Sequence, residues 1–240
     1  MLRSNAPSLT PGGRLIDPTA PRLPVIHQEL GLLGQGHVRI AGVDEAGRGA
    51  WAGPLTAAAV ILPPIAYYDR RLFWGVTDSK KLTPLQRDRW AYQIHKTAMA
   101  VGVAHVTPQE IDRYGMAAAG RLAMTRALER MRLDPDHVLV DAFPLEEGNR
   151  FADRQTALVR ADTSCLAVAA ASICAKTARD RLMQVLHRQF PSYGFDRHKG
   201  YGTRVHRDVL GELGPQSIHR HSFAPVRRAR AAHPDRQPDQ

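Results

Sequence analysis

Long apolar runs, paired cysteines and lysine are what this sequence lacks. No stretch approaches the ~20 apolar residues of a membrane-spanning helix. The opening MLRSNAPSLTPGG also has no apolar segment of the kind a secretory signal carries. A cytoplasmic protein with no membrane partner is expected. The two cysteines, Cys165 and Cys174, stand nine residues apart in what reads as one helix. That spacing separates them by about 13 Å along the axis, too far for a disulfide, so both are expected as small buried thiols in a reducing compartment. Neither CxxC nor HExxH occurs, so the usual zinc signatures are absent. No heptad pattern appears, and a monomer is the default.

Acidic charge is also in deficit. The net formal charge of the 240 residues is +10 and the pI about 10.2. Residues 1–36 contribute +1 (three Arg against Asp17 and Glu29) and residues 227–240 contribute +2 (four Arg against two Asp), which leaves +7 on 37–226. The two ends are rich in Pro or Arg and lack a sustained period, so they read as a flexible N-terminal extension (1–36) and a flexible tail (227–240) around one main domain. A basic fold suits a polyanionic partner, although charge alone fits a solvated surface equally well.

What is present alternates strand and helix signals. Val38 to Val43 and Leu55 to Leu62 are short apolar runs joined by EAGRGAWAGP, in which Gly47, Gly49, Gly53 and Pro54 shape a tight connection. Thr83-Pro84 opens a helix to about Lys96. Met99 to Val106 reads as a third strand. Thr107 with Glu110 forms a capping box, and the helix behind it continues or restarts after Gly115, to about Met131. His137 to Val140 and Thr156 to Ala161 are the fourth and fifth strands, and Ser164 to about Phe190 is a long Ala-rich helix suited to close approach on a sheet. The pattern predicts an α/β fold with helices on the faces of one sheet.

Asp44, Asp141 and Asp162 each follow one of these strands, and Glu45 stands beside Asp44. Ligands of α/β sheets bind outside the carboxyl ends of strands. Carboxylates gathered there repel one another unless a cation binds, and all-oxygen donors suit Mg²⁺ or Mn²⁺. Two such ions assist in-line phosphodiester hydrolysis. Any single Asp after a strand is more often a turn former or cap, so the pattern alone leaves a structural role open. Only five lysines stand against 28 arginines. Retained point charges suggest phosphate contacts, for which Ser79 and Lys80 are the candidates.

The ordered blocks DEAGRGAWAGP (44–54), DSKKL (78–82), Val140-Asp141, Asp162 with AAASI (169–173) and Ala175-Lys176, Arg179-Asp180, HKGYGT (198–203), His219-Arg220 and Ser222-Phe223 resemble the ribonuclease HII family over roughly 40–225. The resemblance implies a ribonuclease-H-like fold: a five-stranded mixed sheet flanked by helices, with a mostly helical C-terminal extension. It also implies a hydrolase that cleaves the RNA strand of RNA/DNA hybrids and nicks 5′ of single ribonucleotides in duplex DNA, leaving 5′-phosphate and 3′-hydroxyl ends. By resemblance Asp44, Glu45, Asp141 and Asp162 are catalytic and bind metal, Mg²⁺ or Mn²⁺, with two ions when substrate is bound. Gly47, Arg48 and Gly49 match the loop that reads the junction, and Tyr201 the ring that packs on the neighbouring deoxyribose. Taken alone, that loop is equally a hairpin and Tyr201 a core or turn residue. The sequence departs from the family at Ala50-Trp51, Ala161 and Ser164, so that the geometry near Asp162 and the substrate preference are open, as are a junction-resolving nuclease of the same superfold and a binding module without catalysis.

Overall fold

The computed structural model describes residue 24 and residues 26–234. Five strands make one mixed sheet: β1 (Ile40–Ala46), β2 (Leu55–Ile61), β3 (Ala100–Val106), β4 (His137–Asp141) and β5 (Gln155–Leu158), in the order β3-β2-β1-β4-β5. β1 to β3 form an antiparallel meander, while β4 and β5 run parallel to β1. Parallel addition requires crossovers, supplied by α4 (Pro108–Glu129) between β3 and β4 and by a short irregular loop between β4 and β5. The five-stranded mixed sheet matches the expected architecture.

Both faces of the sheet are covered, so the central strands β1 and β2 are almost wholly buried, while the edge strands β3 and β5 are partly exposed. On one side Ala119, Ala123, Met124 and Leu128 of α4 pack on Val43, Leu55, Ala57 and Val140. On the other, α3 (Pro84–Thr97) and α6 (Leu166–Gln189) cover Ala58 and Val60 with Ile94, Ala169, Ala170 and Ile173. The Ala-rich sequence of α6 has a clear use. A Cβ on Gly42 would collide with the backbone of Ala167 and Val168, so the helix lies directly against β1.

The expected helix starts at Thr83 and Thr107 appear as full capping boxes, with Gln86 and Glu110 reaching back. The α4 chain kinks at Gly115, where φ is 78°. Other boundaries differ. β1 does not end at Val43 but carries Asp44 and Glu45 inside the ladder, opposite Ala58 and Ala57. β5 stops at Leu158 because Arg160 adopts a left-handed conformation (φ 59°) and turns the chain into α5 (Ala161–Ser164), so α6 begins after Cys165 rather than at Ser164. Cys165 and Cys174 are both free and buried.

The ends also depart from the expected flexible segments where they are described. Residues 27–34 form helix α1 (His27–Gly34), and Glu29 within it is buried, accepting a hydrogen bond from the Ala167 N–H at 3.1 Å. No residue of α6 caps its own N-terminus, and this carboxylate from the N-terminal segment does so instead. Helix α9 (Ala224–Ala231) likewise extends into the expected tail. Of those segments, residues 1–23, 25 and 235–240 lie outside the described residues. No described helix is long and apolar enough to cross a membrane.

Gly42→Ala should lower stability by about 1–3 kcal/mol, the usual cost of overpacking a closed interface. Thermal denaturation measures it. An unchanged melting temperature would contradict the contact of α6 with β1.

Candidate active site

The parallel register of β1 on β4 pairs Val43 with Val140, so Asp44 and Asp141 come next to each other at the same edge and on the same face of the sheet. Asp44 is buried; one of its oxygens accepts from the Glu45 N–H at 2.7 Å. The Ser172 hydroxyl from α6 donates to it as well, and Ser79 lies 2.9 Å from Ser172, hydroxyl to hydroxyl. Asp141 Oδ1 accepts from the Ala161 N–H at 2.7 Å, which ties the end of β4 to the first turn of α5, where Asp162 sits. The acids thus meet through two strands and one short helix, not three strand ends.

Electrostatics show how unsatisfied this group is. Burial, then repulsion from Glu45, pushes the Asp44 carboxyl well above its usual range, despite the Ser172 bond. Burial also raises Glu45, with Asp141 adding to it and Arg48 opposing. Asp162 is raised by burial, then by Asp78 and Asp141. Opposing this stands Lys80: burial alone would lower its ammonium, but Asp78, Asp162, Asp44 and Asp141 outweigh that and raise it. Glu45 takes a hydrogen bond from Arg48 at 3.3 Å on one oxygen, while the other is buried with no hydrogen-bond partner. Hard oxygen donors, mutual repulsion and an unpartnered buried acceptor fit a divalent cation. Among the described residues no three acids, histidines or cysteines already close into a cage. Mg²⁺ sites often lack one, because waters and substrate phosphate complete the shell.

The glycine-rich connection between β1 and β2 is held from below. Gly47 has φ 101°, and any Cβ there would strike the Arg179 guanidinium. Arg179, fully buried, donates from Nε to Pro54 O (2.9 Å), from Nη1 to Lys199 O (3.0 Å) and from Nη2 to Ala52 O (3.2 Å). Arg220, also buried, donates to Gly53 O (3.1 Å) and Arg48 O (2.9 Å). Isolated bridges pair Ala50 with Tyr201 and Ala52 with His219. Tyr201 is therefore beside the Gly47-Arg48-Gly49 loop, with the Arg179 guanidinium 5.2 Å and the Lys176 ammonium 5.4 Å from its ring centre. The Arg48 guanidinium lies 5.1 Å from the Phe143 ring centre. Trp51 points into the C-terminal part, 5.5 Å from His206.

A search with family models matches residues 41–226 to the family described as "Ribonuclease HII". The ribonuclease HII of Chloroflexus aurantiacus is 48% identical over 204 residues, covering 85% of this chain and 95% of that protein. The chain belongs to the ribonuclease HII family. That of Synechococcus sp. (strain JA-3-3Ab) is also 48% identical, over 85% of this chain and 90% of its own. The solved ribonuclease H2 of Pyrococcus horikoshii superposes with a TM-score of 0.70 at 28% identity, over 82% of this chain and all of that one. Membership makes this chain a hydrolase, an endoribonuclease of the ribonuclease H type acting on RNA/DNA hybrids.

Set in a ribonuclease HII, the candidate residues sort as follows. Asp44, Glu45, Asp141 and Asp162 come together at one sheet edge, with Lys80 facing them. Gly47, Arg48, Gly49 and Tyr201 form a second group beside Glu45. Ser79 differs from the expected phosphate contact. It is buried and its hydroxyl is engaged with Ser172, so its side chain props Asp44. Asp78, Ser172, Arg179 and Arg220 were not singled out as site residues. All four stand in matched blocks, and Asp78 also caps the Ser79–Lys81 turn, but no local pattern marked Arg179 and Arg220 for burial beneath the loop.

Behind Tyr201 three histidines pack together without solvent. The Gln216 N–H donates to His219 Nδ1 (3.0 Å), so neutral His219 carries its proton on Nε2 and donates it to His206 Nε2 (3.2 Å). His206 Nδ1 then donates to Tyr201 O (3.0 Å). His198 stacks on His206 with 4.5 Å between ring centres. Burial, above all, lowers His206 to about 4 and His219 to about 3, from 6.5. Unfolded imidazoles take up protons from about pH 6.5 downward while these folded ones stay neutral, so their contribution is complete above pH 6.5 and is lost as the pH falls towards 4. Wild-type protein should therefore lose on the order of 3 kcal/mol more stability between pH 7 and pH 4 than His219→Gln. Urea denaturation at the two pH values measures the difference, and parallel losses would refute the neutral chain.

Proposed function

We propose that this enzyme incises duplex DNA on the 5′ side of an embedded ribonucleotide, as well as cleaving continuous hybrids, with Mg²⁺ or Mn²⁺ held by Asp44, Glu45, Asp141 and Asp162. The observation that carries this reading is the register of β1 on β4, which sets Asp44 beside Asp141 while leaving a buried Glu45 oxygen unpartnered. Bound ions supply a water of lowered pKa and stabilise charge on the leaving oxygen. The remaining work falls to the chain. Lys80, kept protonated by the surrounding acids, is a point charge for the scissile phosphate. Ser172 and Ala161 orient Asp44 and Asp141 through hydrogen bonds.

In this reading water oxygen bonds to phosphorus as the bond to the 3′-oxygen breaks; the upstream strand ends in a 3′-hydroxyl and the ribonucleotide keeps a 5′-phosphate. Specificity is assigned to the loop and ring. The missing Cβ of Gly47 seats Arg179 under the loop, and that of Gly49, which faces open space, lets backbone groups approach a sugar closely enough to meet a 2′-hydroxyl, the group that separates RNA from DNA at a single position. Tyr201, bridged to Ala50, offers its ring to the adjoining deoxyribose, which tolerates no extra polar group against an aromatic face.

Cleavage mapping on three substrates tests the reading: one ribonucleotide in duplex DNA, a continuous hybrid, and plain DNA. Wild-type protein should nick the first on the 5′ side, cut the second, and spare the third. Asp44→Asn should lower kcat by about 100-fold or more with a melting temperature no lower than that of the wild type, because the charge it removes is buried and repelled. Undiminished cutting by Asp44→Asn, or equal cutting of plain DNA, would sink the proposal.

A further inference from the structure

The segment 77–82 has two sides. Asp78, Ser79 and Lys80 face the acids of the site. Thr77, Lys81 and Leu82 line a separate cleft of about 920 Å³, whose other wall includes Trp74, Trp90, Tyr92 and Arg89. On α3 the lining positions 86, 89, 90 and 93 repeat at helical spacing, so they present one continuous face.

The lining is selective in chemistry. It holds three large rings and two cations, and no carboxylate. Trp74 and Tyr92 are 58% and 63% exposed, a costly placement for rings this large unless something covers them. A third cation, Lys96, lies 5.4 Å from the Tyr92 ring centre. Aromatic faces interleaved with positive charge are how proteins hold unpaired nucleotides: bases stack on rings and phosphates follow the cations. Duplex bases, already stacked on one another, have no free face to offer. The cleft volume lies at the upper end of the ~300–1,000 Å³ typical of ligand sites. It also adjoins the catalytic edge, because Lys81 belongs to the same short turn as Lys80 and its charge acts on Asp162.

We propose that this cleft is a subsite for single-stranded nucleic acid, taking unpaired nucleotides of a strand that leaves the duplex next to the cut. The proposal rests on the nuclease reading above and names a substrate class for it: a ribonucleotide-bearing duplex with a single-stranded tail. Trp74 and Tyr92 provide the stacking faces, and Arg89 and Lys81 the phosphate contacts.

Two measurements on the full chain test this. The first is anisotropy of a labelled (dT)12 oligonucleotide with EDTA present, which excludes cleavage. Wild type should bind it saturably and more weakly as salt rises. Trp74→Ala and Tyr92→Ala should each weaken binding by about 5- to 150-fold, the equivalent of one base stack of ~1–3 kcal/mol. Arg89→Glu, which keeps both rings, should weaken it as well. The second is cleavage of one ribonucleotide in blunt duplex against the same duplex with a 5′ or a 3′ dT tail. Trp74→Ala should raise KM for a tailed substrate and leave both constants for the blunt one unchanged. No binding of (dT)12 by wild type, equal binding by all variants, or an equal loss on blunt and tailed substrates would overturn the proposal. Failure of wild type to cut the blunt duplex would instead count against the nuclease reading, while the (dT)12 measurement still reports on the cleft.

Discussion

Everything around the glycine-rich connection depends on two buried guanidiniums that pair with no carboxylate among the described residues. Arg179 and Arg220 donate to carbonyls of Arg48, Ala52, Gly53, Pro54 and Lys199, and Nη2 of Arg220 is buried with no hydrogen-bond partner. A charged group so placed is costly to desolvate, and hydrogen bonds to ionised donors offset that at about 1.5–3 kcal/mol each. Burial, helped by the neighbouring Arg179, lowers Arg220 to about 9, which still leaves it charged at neutral pH. The arrangement joins the β1–β2 connection to the chain around residues 199 and 220. The loop and the helical C-terminal part therefore share one support, and Tyr201 inherits its position from it.

The acid centre shows the opposite balance. Asp44, Glu45 and Asp162 are all held above their usual carboxyl range by burial first and by neighbouring carboxylates, with Asp141 acting on all three, and Lys80 is a cation within their field. The same chain thus stores surplus positive charge beneath the loop and surplus negative charge at the sheet edge a few residues away. The first is shut away from solvent and answered by backbone carbonyls, while the second lies where a divalent cation would relieve it.

Much of this was legible in the residues, and the rest was not, for physical reasons. β2 and β3 were readable because their apolar runs are bounded by Pro54, Pro63 and Pro108; both long N-caps announced themselves as Thr-Pro with an acceptor three residues on. β1 ran further than expected because its hydrogen bonding to β2 carries the polar pair Asp44-Glu45 into the ladder. The helical placement of Asp162 was hidden because TALVRA has strand composition, and only the left-handed turn at Arg160 breaks it. Capping of α6 by Glu29 spans 138 residues. Contacts of that range leave no local pattern, and the same holds for the chain from His219 through His206 to Tyr201.

The close seating of α6 on β1 through Gly42 reaches well beyond packing. Ser172, Lys176, Arg179 and Met183 follow one another at intervals of four, three and four residues, so they form a single stripe along the helix. Ser172 meets Asp44, Lys176 and Arg179 meet Tyr201, Arg179 meets the carbonyls of the connection, and Met183 packs with Ala52. The helix works as a ruler on which Asp44, Tyr201 and the glycine-rich connection are marked off in turns of about 5.4 Å. The spacing between the acid cluster and the Tyr201 ring is then a property of helical pitch, set by one rigid rod clamped to one strand, rather than something the loops must find for themselves.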